Sequence, residues 1–293
     1  MSRIAVVGVG AIGCVFGGYL AATGRHEMIF CSREIFGEVS VESDFGKTNA
    51  PAHTVMEPTG LEPADWVFLA TKAHQVGGTA GWLEALCGPN TRVAVLQNGV
   101  DHVERVSPFA GQARVMPVVV SCPALKHGPG RVSHIRQAGL TICDDESGQD
   151  FADLFLGANV RIELSADMTT SAWRKLCNNM SSSAITVLTN EPYGVFRHTG
   201  LLELSAALLE ECIAVGRAEG ALLGDGIIDE VMAKNSGSPP DLIPSMLGDY
   251  RAGRPVEVDA QYGIIVRLGE RHGIKTPLCR AVVALLETIN SGK

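Results

Sequence analysis

The chain predicts a doubly wound α/β domain followed by an all-α domain, and three observations carry that expectation. A β-branched run over 3–7 leads into Gly8-Val9-Gly10-Ala11-Ile12-Gly13 and then into an apolar stretch over 11–22, the order strand, glycine turn, helix. Short apolar runs ending in polar residues recur through the first half, as buried parallel strands do. Past residue 165 the apolar period becomes three and four, with no strand pattern left. The domains are therefore expected over 1–165 and 166–293.

Each glycine of the first turn has its own physical task. Gly8 makes the tight turn, Gly10 lets a pyrophosphate approach the backbone, and Gly13 lets the helix lie close on the strand. The first-turn N–H groups, with Ala11 and Ile12 among their residues, then face the phosphates at the positive end of the helix dipole. This is the Rossmann arrangement, and the alternative is an ordinary glycine turn.

Gly24 ends the first helix and 27–31 reads as the second strand. The residue at the end of that strand meets the adenine ribose, where an Asp or Glu would bind the free 2′-hydroxyl of NAD. The chain offers Ser32 and Arg33 instead, a hydroxyl and a guanidinium suited to the 2′-phosphate of NADPH; the alternative is a plain surface arginine. Residues 35–63 show only short strands and loops. A buried strand over 65–70 delivers Thr71-Lys72-Ala73-His74-Gln75 to the binding edge before a helix that runs to residue 86. Lys72 there is a second cation for a phosphate. The strand over 92–97 ends in Asn98-Gly99, where Asn98 offers a donor and an acceptor to nicotinamide and substrate, or else simply forms a turn. Strand runs over 115–124, 131–136 and 140–143, broken by Gly and Pro, read as hairpins extending the sheet in an antiparallel sense. A helix over 149–156 and a strand over 160–164 close the domain.

The strongest helical period lies over 171–188, with Trp173, Leu176, Cys177, Met180, Ala184, Val187 and Leu188 on one face. Lys175, Asn179, Ser182 and Thr186 form a second stripe, either a solvated face or the wall of a polar cleft. The Asn178-Asn179 and Ser181-Ser182-Ser183 runs are poor helix formers, which favours the cleft. Further helices are expected over 201–219, over 227–234, after Pro239-Pro240 through 251, over 257–271, and from Thr276-Pro277 onward. Glu257, in a first turn, could simply answer a helix dipole.

With 24 Lys and Arg against 32 Asp and Glu, the net charge of −8 argues against nucleic acid or an anionic membrane as partner. No run spans a bilayer and no signal peptide is read before the first strand, so a cytoplasmic protein is expected. The eight cysteines are scattered singly and read as reduced core thiols, with no metal-ligand spacing among them and no metal expected.

The chain resembles the ketopantoate reductase family along essentially its whole length. The residues that carry the likeness are Gly8-x-Gly10-x-x-Gly13, Thr71-Lys72-Ala73-x-Gln75, Gln97-Asn98-Gly99, Trp173-Arg174-Lys175-Leu176-x-x-Asn179, Ser245-Met246-Leu247-x-Asp249 and Arg254-x-x-Glu257-x-Asp259. The resemblance implies NADPH-dependent reduction of a 2-oxo acid to a 2-hydroxy acid in pantothenate synthesis, at a cleft between the two domains. It makes Arg33 and Lys72 the 2′-phosphate contacts, Lys175 the catalytic lysine and Glu257 an acid that orders the site. Asn98 and Asn179 hold substrate and Ser245 meets its carboxylate, while Gln75, Asn98 and Glu257 also belong to the cofactor site. Ser183 takes a substrate position where the family often has a second asparagine; Tyr193, Leu242 and Tyr262 likewise replace polar family residues. These changes make the pocket more apolar and leave the identity of the oxo acid open.

The chemistry agrees with the resemblance. Hydride reaching a ketone carbon leaves negative charge on oxygen, so a cation and proton donor must stand beside it, and Lys175 can be both. Two other readings stand beside this one: a reductase for a more apolar oxo compound, and a non-catalytic NADPH-binding sensor. A homodimer is possible on the apolar helical domain.

Overall fold

Six short, mostly buried runs pair into one all-parallel sheet in the computed structural model, which describes residues 1–292. In chain order the first unit runs β1 (Arg3–Val7), α1 (Ala11–Ala22), β2 (Glu27–Cys31), β3 (Glu38–Ser43), β4 (Gly46–Pro51), β5 (Thr54–Val55), β6 (Trp66–Leu69), α2 (Ala80–Leu86) and β7 (Arg92–Val95). It continues through α3 (His102–Val106), β8 (Arg114–Pro117), β9 (Val119–Ser121), β10 (Ala124–Gly128), β11 (Arg131–His134), β12 (Gly139–Cys143), α4 (Glu146–Leu154) and β13 (Arg161–Ser165). The chain divides into two units, Met1–Met168 and a second beginning at Thr169.

The parallel sheet has the order β5-β2-β1-β6-β7-β8. The chain leaves β1 toward one side and returns as β6 on the other, so the strand order reverses at the β1/β6 junction, where open α/β sheets take ligands. The register sets Val7 beside Cys31 and Leu69, and Leu69 beside Val95, so four strands end in line.

The strands after residue 114 differ from the sequence expectation. They do not extend the parallel sheet in an antiparallel sense: β8 is its sixth parallel strand, β10 and β11 join β3 and β4 in a four-stranded sheet, and β9, β12 and β13 make a three-stranded one. The reason is α1. That helix is apolar on all sides, and a helix of that kind needs cover on two faces. A Cβ on Gly17 would meet Phe30 of the parallel sheet at 2.7 Å, while one on Gly18 would meet Val41 of the four-stranded sheet at 2.8 Å. The helix is sandwiched, and the second sheet exists to cover it.

The second unit is helical: α5 (Met168–Thr189), α6 (Thr199–Ala218), α7 (Ile227–Gly237), α8 (Ser245–Arg251), α9 (Ile264–His272) and α10 (Pro277–Ser291). Helix α6 lies so close to α5 that a Cβ on Gly216 would come within 2.7 Å of Trp173. Two spans differ from expectation. The helix placed after Pro239-Pro240 starts at Ser245 instead, because Pro244 holds Ile243 out of helical conformation. The single helix over 257–271 is a π-turn, Asp259–Gly263, followed by α9. There the Val258 carbonyl accepts from Tyr262 N at 2.9 Å and Gly263 N at 3.2 Å. The extra residue in that turn lets both Gln261 and Tyr262 reach α5.

The polar stripe of α5 is not one surface. Ser181, Ser182, Ser183 and Thr186 are all buried, each with partners inside the helical unit. Asn235 of α7 donates to Ser181 Oγ at 3.1 Å, and Ser205 of α6 donates to Ser181 O at 2.6 Å. Cross-helix bonds therefore offset the low helix propensity of the serine run.

Candidate functional site

In the first unit the predicted residues gather at the carboxyl ends of β1, β2, β6 and β7. Gly8 follows β1 with φ +99°, a conformation L side chains avoid, and a Cβ there would lie 2.5 Å from Thr71 N of the strand end beside it. A Cβ on Gly13 would lie 2.2 Å from Gly8 O, so helix and turn touch backbone to backbone. Gly10 is the opposite case: nothing stands within 4 Å of its Cβ position, and its φ of −82° suits any residue. The turn closes on itself at Gly8 and Gly13 and is open at Gly10. Helix α1 has no side-chain cap and no acidic residue in its first turn, so the positive pole at Ala11 and Ile12 has no covalently attached counter-charge. This cradle fits a dinucleotide pyrophosphate.

Ser32 follows β2 half-buried, its Oγ accepting from Glu34 N at 3.2 Å, while the Arg33 side chain is exposed beside it. After β6, Lys72 N donates to Gln75 Oε1 at 3.2 Å, so Gln75 caps the 3-10 turn over Ala73–Thr79 that carries it. Gln97 is buried and donates to Thr71 Oγ1 at 3.0 Å, tying the ends of β6 and β7 together. Its Oε1 is buried without a hydrogen-bond partner, an acceptor left over at the binding edge.

Asn98 sits in a turn, Gly99 at φ +116°, whose backbone is held from α3. His102 donates through Nε2 to Gln97 O at 2.8 Å, and Arg105 donates to Asn98 O at 3.3 Å while paired with Asp101 at 2.8 Å. The sequence reading missed His102 and Arg105; the Asp101–Arg105 spacing of four was the one legible signal. Burial pushes the His102 imidazole down to about 4, against the Gln97 hydrogen bond that favours its proton. The unfolded chain therefore takes up a proton below about 6.5 that the folded chain refuses until about 4. Stability contributed by neutral His102 is complete above pH 6.5 and is lost as pH falls toward 4, about 3 kcal/mol in all. Chemical denaturation across that range should show the slope, and His102→Gln should flatten it.

In the helical unit, Lys175 and Asn179 lie one turn apart on α5, both half-buried. Glu257 is buried at 5% exposure, just ahead of the π-turn. Its neighbour Val256 is clamped by Asn290 of α10, which accepts from Val256 N at 2.9 Å and donates to Val256 O at 3.0 Å. Tyr262 then fixes the segment to α5. Its hydroxyl donates to Met180 O and accepts from Ala184 N at 2.9 Å, occupying the rung where those two groups would bond each other in a regular helix. Ser183 Oγ donates to Gln261 Oε1 at 2.8 Å and lies 3.0 Å from the Tyr262 hydroxyl. Tyr193 reaches Ser182 Oγ at 2.9 Å. Asn290, Gln261 and Tyr262 thus hold the strip that carries Glu257, roles that no spacing in the sequence announces. Ser245 is exposed at the start of α8, and Asp249 of that helix receives Arg254 Nε at 2.9 Å.

Comparison with known proteins covers both units. The ketopantoate reductase PanE/ApbA profile matches residues 4–146, and the profile for the C-terminal part of the same family matches 167–290. A 2-dehydropantoate 2-reductase of Caulobacter vibrioides is 39% identical over 289 residues, covering 98% of each chain. Another from Mycobacterium tuberculosis is 36% identical over 293 residues, covering 99% of this chain and 98% of that one. The crystal structure of a PanE/ApbA family ketopantoate reductase from Ralstonia eutropha superposes with a TM-score of 0.90 at 29% identity, over 99% of both chains.

Proposed function

The chain belongs to the ketopantoate reductase family, and on that premise we propose that it reduces 2-dehydropantoate to pantoate with NADPH, Lys175 giving the proton. A nicotinamide cofactor follows from that membership. When bound, it supplies the hydride. The observation that carries the reading is that one chain holds both an open glycine cradle at a sheet switch point and, in its helical unit, Lys175 and Asn179 one turn apart with a buried Glu257.

The residues divide the work by their chemistry. Gly8, Gly10, Ala11, Ile12 and Gly13 offer backbone N–H groups to the pyrophosphate. Arg33, Lys72 and the Ser32 hydroxyl take the 2′-phosphate, and Gln75 keeps the Lys72 turn in shape. Lys175 stabilises the charge that develops on the carbonyl oxygen and then protonates it. Glu257, buried ahead of the π-turn, orders the site and touches the cofactor. Asn98 and Asn179 orient the oxo acid, and Ser245 donates to its carboxylate. Ser183, whose proton goes to Gln261, enters as a positioning group for that wall.

Gly10→Ala separates folding from binding. The new methyl meets no protein atom, so the melting temperature should stay within a few degrees while dinucleotide affinity falls at least about tenfold. Titration of wild-type and variant protein with NADPH checks it.

One observation favours a second reading, a more apolar 2-oxo acid. The hydroxyls of Ser183 and Tyr262, at positions where the family has asparagine, are turned to each other and to the α5 backbone. A site with fewer polar partners discriminates less strongly for a substrate hydroxyl. A panel of 2-oxo acids differing in that hydroxyl, assayed by NADPH oxidation, tests both readings. The highest kcat/KM should fall on 2-dehydropantoate; a preference for an analogue without the hydroxyl would move the assignment to the second, and no oxidation with any 2-oxo acid would contradict both.

A further inference from the structure

Strand β10 forms an edge of the four-stranded sheet that covers α1. Its register places Ala124 opposite His134 and Lys126 opposite Val132, two buried residues of β11, so Lys126 sits on the face of the sheet that is turned toward α1. A bulge between Lys126 and Gly128 re-aims the strand at that point. The Lys126 ammonium reaches the glycine turn and donates to Val9 O at 3.1 Å. Its field is also felt one turn into α1: burial pushes the Cys14 thiol up to about 11, and Lys126 acts against that rise.

A lysine in this place is electrostatically odd. It stands at the positive pole of α1, whose first turn has no acidic residue, and it joins no ion pair among the described residues. Like charge at a helix N-terminus is unfavourable by itself, and one carbonyl uses one of the three ammonium donors. The arrangement becomes favourable once an anion lies on the turn. An edge lysine that merely deters strand pairing would need neither the bulge nor the contact with Val9.

We propose that Lys126 is a cofactor-binding residue whose ammonium, docked on the Val9 carbonyl, contacts the pyrophosphate of the dinucleotide. The assignment rests on the cofactor reading above and adds to the Gly8–Gly13 backbone a side chain from a different sheet. Because the pyrophosphate is common to both nicotinamide dinucleotides, Lys126 raises affinity for NADPH and NADH alike. It does not contribute to choosing between them.

The test is equilibrium binding to wild-type, Lys126→Met and Lys126→Arg proteins at low salt, with melting curves for each. Lys126→Met keeps the aliphatic stem. It should weaken NADPH and NADH by the same factor, about tenfold, and leave competition by 2′-AMP, which has no pyrophosphate, unchanged. Lys126→Arg should recover most of the loss. Dinucleotide affinities within twofold of wild type, or a loss for 2′-AMP equal to that for NADPH, would overturn the assignment while the cofactor reading stands. A wild-type protein that binds neither dinucleotide would overturn both.

Discussion

Lys175→Ala should lower kcat by about 10² to 10⁴, the contribution of a positioned proton donor, with a much smaller change in the affinity for NADPH. The expectation follows from charge. As hydride arrives, the carbonyl oxygen becomes an alkoxide, and a half-buried ammonium on α5 is worth more to that transition state than to the neutral ketone. Lys175→Arg divides the two parts of the role. A guanidinium keeps the positive charge but does not release a proton, so it should recover little of the rate if proton transfer dominates and much of it if charge alone matters. Initial rates at saturating substrate, with NADPH affinity measured separately, decide between these outcomes. An unchanged kcat in Lys175→Ala removes the residue from the mechanism.

The second large effect concerns the choice of dinucleotide. Arg33→Ala combined with Lys72→Ala should reduce kcat/KM for NADPH by about 10²-fold and leave NADH nearly unaffected, since only the former carries a 2′-phosphate. Arg33 is exposed, so its share is screened by salt and should come to about tenfold at low ionic strength. The ratio of NADPH to NADH efficiency in wild type and in the two single variants reads each contribution. A wild-type ratio near one would take Arg33 out of this role, whatever the double variant does.

The α/β unit followed by helices is legible from a few strong signals: the glycine turn, the parallel strands ending in polar residues, and the period of α5. What was not legible depends on long-range pairing. The strands after residue 114 look like hairpins locally, and only the need to cover the second face of α1 assigns β10 and β11 to another sheet. Lys126 is invisible for the same reason, since its reach to Val9 depends on that pairing and on a bulge. In the helical unit the sequence reads Ser182 and Thr186 as one stripe with Lys175, because period alone cannot tell a cleft wall from a bonded interior. The π-turn at Asp259–Gly263 has no local signature either; it is set by Tyr262 finding the open rung on α5.

The most direct measurement follows the hydride itself. NADPH carrying deuterium at both C4 positions of the dihydronicotinamide is mixed with the protein and 2-dehydropantoate, and the product is examined by mass spectrometry. The account predicts pantoate one mass unit heavier with deuterium at the carbinol carbon, formed by the wild type and strongly slowed in Lys175→Ala. Pantoate without the label, or no pantoate while the deuterated cofactor stays reduced, would contradict it.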